Sequence, residues 1–170
     1  MGAQDVRTAV VGYLGQPPIP GLLSVYRGQP VIIEADSWAP DESSGWGATA
    51  YIHLSDQRET RISMGGPPPG GIKRRDYAAA IVVVFRWIFP GDDDTSEADG
   101  WTAPFDGLID DICTRMRADR TFGCGPSGPV WQGAEGMDDL RVLTDLPSLD
   151  DGQLVVWAAL EFEITEMLNA

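Results

Sequence analysis

Apolar positions along the chain recur with two periods, and the changes of period divide it into elements. Residues 5–14, "DVRTAVVGYL", place Val6, Val10 and Leu14 at near-helical spacing, with Asp5 at the start and Gly15 and Pro17-Pro18 at the end. Residues 20–26, "PGLLSVY", read as a short helical or irregular turn. The β-branched run "QPVIIEAD" at 29–36 predicts a strand. From 48 the period changes to two. Ala50, Ile52 and Leu54 share one face of "ATAYIHLSD", and Thr49, Tyr51 and His53 share the other. The alternation continues through "ETRISM", breaks at "GGPPPGG" and resumes from Ile72 to about Ile88.

Two arms of nearly equal length around a Gly/Pro turn predict one long β-hairpin with its tip near Pro68. The inner half is apolar. The outer half is charged and carries Arg58, Arg61, Lys73, Arg74 and Arg75, so the hairpin is expected to continue past the core as a protruding arm at about 56–76. Downstream, "APFDGLIDDICTRMRAD" at 103–119 is the clearest helix. Leu108, Ile109, Ile112 and Met116 form its apolar stripe, Pro104 suits the first turn, and acids precede bases along it. Residues 122–136 read as loop. "DLRVLTDL" and "GQLVVWAALEFEIT" predict a closing hairpin through "PSLDDG", with Val156, Ala158, Leu160, Phe162 and Ile164 on one face and Trp157, Glu161, Glu163 and Thr165 on the other. The order predicts a single α+β domain over 1–170, with a mainly antiparallel, mixed sheet and helices packed on one side.

Composition narrows the function. A 170-residue chain with 43% hydrophobic residues and six tryptophans supports a real core. Its net charge of −14 argues against general nucleic-acid binding and against docking on an anionic membrane. The start lacks the basic and apolar pattern of a signal peptide, and two cysteines fit reduced thiols, so the expectation is a soluble, intracellularly made chain.

Catalytic motifs are poorly matched. Ile72 separates Gly71 from Lys73, and three prolines remove backbone donors, so the Gly/Pro loop is no phosphate cradle. Ser127 in "GPSGP" lacks the glycine spacing of a nucleophile elbow, and a Ser or Cys nucleophile would depend on His53, the only histidine. His53 reads as a half-exposed strand residue, Cys113 as a small buried apolar residue and Cys124 as a loop thiol. Asp92, Asp93 and Asp94 open an acidic loop, but Glu97 and Ala103 stand where a calcium-binding loop needs Gly and Glu. No cofactor and no metal site are expected. The basic cluster of Lys73, Arg74 and Arg75 admits three readings: a solvated hairpin base, a nucleic-acid contact, or a contact with an acidic surface on another protein. A chain of charge −14 supplies such a surface itself.

The segments "IKRRDYAAAIVVVFRWIF" and "GQLVVWAALEFEITEML", in this order of elements, resemble tail terminator proteins of long-tailed (siphovirus-type) bacteriophages. That resemblance covers most of the chain and is one of pattern, and the acidic 90–101 loop and the tryptophan-containing 37–47 segment depart from it. It implies a structural virion protein rather than an enzyme. Such a protein forms a ring, a hexamer in this family, at the head-proximal end of the tail. It contacts the tail tube protein and the head–tail connector or stopper protein, and DNA passes through the lumen without specific binding. Assembly would take place in the host cytoplasm, with no membrane involved. On this reading Arg58, Arg61, Lys73, Arg74 and Arg75 form a subunit or partner interface, and Asp92, Asp93, Asp94, Glu161 and Glu163 an acidic lumen or partner surface. The alternatives are another connector or stopper ring component, or a small metal-assisted hydrolase using the acidic loop.

Overall fold

In the computed structural model, the described residues are 2–30, 45–63, 71–88, 99–134, 139–150 and 152–169. The order is α1 (Ala3–Gly15), β1 (Leu22–Tyr26), β2 (Trp46–Arg61), β3 (Ile72–Ile88), α2 (Thr102–Ala118), β4 (Val130–Gln132), β5 (Arg141–Thr144), β6 (Ser148–Asp150) and β7 (Gln153–Asn169). The seven strands form one mixed sheet in an α+β fold, with β1 parallel to β2 and every other pair antiparallel.

β3 is the axis of this sheet. It pairs with β2 from Lys73–Arg61 to Trp87–Trp46, and with β7 from Ile72–Asn169 to Ile88–Gln153. Because strand side chains alternate, its odd-numbered residues Tyr77 to Trp87 face one side together with Ala48, Ala50 and Ile52 of β2 and Val156 to Ile164 of β7. Val6, Val10 and Leu14 of α1 and Phe105, Leu108, Ile112 and Met116 of α2 bury their stripes on that same side. Tyr13 Oη donates to the Arg115 carbonyl at 2.8 Å, and Arg115 Nη1 donates to the Tyr13 carbonyl at 3.2 Å, which ties the two helices together.

The differences from the sequence pattern have local causes. α1 begins at Ala3, so Asp5 acts from inside the first turn, accepting from Gly2 N at 2.8 Å, instead of preceding the helix. Residues 22–26 are a strand rather than a helical turn. Gly21 adopts a φ of +76° with no room for a Cβ against the Trp46 ring, and its carbonyl accepts from Ala48 N at 2.8 Å, which aligns β1 along β2. The expected strand at 29–36 lies largely outside the described residues, as does the hairpin tip near Pro68. Within the segment read as loop, Trp131 is buried, donates Nε1 to the Met116 carbonyl at 2.8 Å and carries the short β4. Half of the predicted closing turn "PSLDDG" is β6, Ser148–Asp150. Pro147 splits the strand expected at 139–146 and its continuation into β5 and β6, which pair with β7 one after the other.

The arm expected at about 56–76 is a three-stranded ribbon, since β7 runs beside β3 as far as Ile72. A bulge between Leu54 and Asp56 marks where β2 leaves the core. Beyond Tyr51, β2 has no partner on its outer edge among the described residues.

Phe162 meets Trp131 edge-on at 6.4 Å on the helix side, and Trp157 stands exposed on the other side of the same strand. Phe162→Ala is expected to cost about 3–5 kcal/mol and Trp157→Ala less than about 1 kcal/mol. Urea denaturation of the two variants checks this, and equal losses would contradict the assignment of faces.

Candidate functional site

Two neighbouring features carry the exposed chemistry: the charged ribbon and the sheet face turned away from the helices. On the ribbon, Glu59 of β2 stands opposite Arg75, and its carboxylate takes Arg75 Nη2 at 2.8 Å and Lys73 Nζ at 2.8 Å. Arg74 points to the other side and donates Nε to Asp76 Oδ1 at 2.7 Å, where Thr165 Oγ1 also donates at 2.7 Å. Lys73, Arg74 and Arg75 are thus each engaged in an ion pair within the sheet. Their nearness in sequence comes from alternation: two cations face the helix side and one faces away. Arg58 stands opposite Asp76 in the β2–β3 register, but Arg74 and Thr165 already engage that carboxylate. Arg58 and Arg61 are exposed and have no ion pair among the described residues.

Below Arg75 a buried polar chain continues into the sheet. Arg75 Nη1 donates to Tyr77 Oη at 3.5 Å, and Tyr77 Oη donates to Glu166 Oε2 at 3.3 Å. Burial pushes the Tyr77 hydroxyl pKa up, and the Arg75 contact opposes that shift. Glu166 is 1% exposed. No sequence signal singled it out, because it continues the apolar alternation of β7 where a hydrophobic residue is expected. Its register opposite Arg75 is a tertiary fact.

The sheet face away from the helices is apolar at one end, where Tyr51, Val84 and Val155 pack together. Toward the ribbon it opens into a trough of about 690 Å³. Ala78 and Ala80 form its floor, His53 and Ser55 one wall, and Glu161 and Glu163 the other. The register accounts for this shape. His53, Ala80 and Glu161 lie in one row across β2, β3 and β7, and Asp56, Ala78 and Glu163 in the next. Two strand spacings make the trough about 10 Å wide, and small residues on the middle strand make it deep. Arg141 of β5 approaches Glu161 at 3.5 Å, and Glu163 has no ion pair among the described residues.

The predicted acidic surface is therefore divided. Glu161 and Glu163 come together in the trough, and Asp92, Asp93 and Asp94 lie outside the described residues. Cys113 is buried, with its thiol pKa pushed up by burial, and Cys124 is exposed. The described residues contain no cluster of metal-ligating side chains.

No family model and no curated protein matches this chain. A solved structure of a protein without a descriptive name aligns over 96% of both chains at 15% identity, with a TM-score of 0.39, which carries no inference.

Hydrogen bonds from Lys73 and Arg75 hold the Glu59 carboxyl pKa down to about 2 from 4.5. Its pairing therefore stabilises the ribbon above pH 4.5 and is lost as pH falls toward 2. Carboxyl chemical shifts followed by NMR should show Glu59 titrating near 2, and in Lys73→Met it should titrate closer to the ordinary value.

Proposed function

We propose that this chain is a ring-forming structural subunit of a phage tail, of the tail terminator type, and not an enzyme. The observation that carries the reading is an uncovered, interface-grade surface along one side of the fold. Leu149 of β6 is 75% exposed and Leu146, in the link between β5 and β6, is 90% exposed; Leu143 of β5 and Trp157 of β7 are exposed on the sheet face opposite Leu149, and β5 and β6 have no partner on their outer edges among the described residues. Exposed apolar side chains along an open sheet edge mark a surface that another chain covers. The charge of −14 supports the same reading, because a lumen that passes DNA has to repel phosphate. Glu161 and Glu163 form an acidic partner surface in the trough, and the pattern of elements resembles that of the terminators described above. In this role the ring stops growth of the tail tube and joins it to the head connector. A connector or stopper ring would use the same surfaces.

Electron microscopy of labelled virions should place one ring at the head-proximal end of each tail. Leu146→Ser with Leu149→Ser should leave the folded monomer intact by circular dichroism and abolish the ring. A virion without this protein would overturn the proposal.

A further inference from the structure

Among the described residues, the ribbon carries cations without an ion pair, and the trough carries a carboxylate without one. Among the twelve Lys and Arg residues, Lys73, Arg74, Arg75, Arg86, Arg117 and Arg141 form ion pairs within the chain. Arg115 and Arg120 lie over the rings of Tyr13 and Trp131, and Arg7 is half-buried beside β2. Arg27, Arg58 and Arg61 remain exposed without an ion pair among the described residues, and two of these three lie on one short stretch of β2. In a chain with 26 carboxylates, cations left unpaired on the one ribbon that leaves the core are a surface feature that calls for a partner.

We propose that the ribbon of one copy seats in the trough of the next, with Arg58 and Arg61 reaching Glu163 and Glu161. This rests on the ring reading and names the contact that would build the ring. The outer edge of β2 beyond Tyr51 is free among the described residues, so the ribbon can enter edge-on. A single strand with its side chains is about as thick as the roughly 10 Å between the trough walls. Arg58 and Arg61 leave opposite faces of β2, and their long stems allow both guanidinium groups to converge on one wall. The alanine floor leaves space for the strand, and Glu163 gains an ion pair that it lacks among the described residues of its own chain. A contact between two different surfaces of one chain is head-to-tail, the kind that closes into a ring. The opposite charges set the register between copies.

Cysteine pairing in the full chain tests the contact, in a Cys124→Ser background to remove the exposed native thiol. Arg58→Cys mixed with Glu163→Cys should give an intermolecular disulfide on mild oxidation. The pair Arg58→Cys with Asp111→Cys, on the exposed side of α2, should give none. In parallel, Arg58→Glu with Arg61→Glu should weaken self-association by at least about tenfold, and mixing this variant with Glu161→Arg/Glu163→Arg should restore it. Absence of a selective 58–163 crosslink, at millimolar protein and on isolated tails alike, overturns the docking. So does a charge-reversed mixture that fails to recover. If the crosslink forms but virions contain no such ring, the contact stands and the terminator reading falls. A terminal ring without the crosslink has the opposite meaning.

Discussion

Everything in this fold depends on β3 being paired along its whole length on both edges. A 17-residue strand is long for a small domain, and an isolated two-stranded hairpin is marginal in water. The 17-residue β7 resolves this by matching β3 residue for residue, so the hairpin gains a third strand where its side chains turn from apolar to charged. The inner part of this three-stranded frame supplies the floor on which both helices bury their stripes. The outer part supplies the ribbon.

That continuity places two chemical environments on one set of strands. On the helix side, the alternation that buries Ile81, Val83 and Phe85 delivers Tyr77, Arg75 and Glu166 into a polar chain at the edge of the core. A buried carboxylate is tolerated there because a tyrosine hydroxyl reaches it and a guanidinium lies behind that hydroxyl. On the opposite side, the same strands place alanines between two polar walls and so create a trough. The trough and the ribbon are consequences of one register, and a one-residue slip of β7 would exchange the two faces and destroy both.

The charge pattern of the ribbon shows how tertiary pairing changes the meaning of a sequence cluster. Lys73, Arg74 and Arg75 stand out in an acidic chain and invite a partner elsewhere. Glu59, across the hairpin, and Asp76, two residues along, absorb all three. The cations left over are the less conspicuous Arg58 and Arg61. The exposed charged residues of β2, Arg58 and Arg61 among them, oppose edge-to-edge pairing of the ribbon.

Periodicity in the sequence determined both helices, the long hairpin, the faces of β7 and the burial of Cys113, because each of these depends on spacing within one segment. It also put Glu161 and Glu163 on the face away from the core. It did not distinguish β1 from a helical turn, since a five-residue stretch with four apolar positions fits either period and the deciding parallel partner lies more than twenty residues away. Nor did it separate β4 from loop, where a lone Trp131 among glycines and prolines has no local period. Tertiary structure alone decided that β7 would extend the hairpin, that Glu166 would meet Tyr77, and that alanines and glutamates from distant segments would enclose one trough. The physical reason is the same in each case: these features come from register between strands, and register is set by the shared core and not by any single stretch of chain.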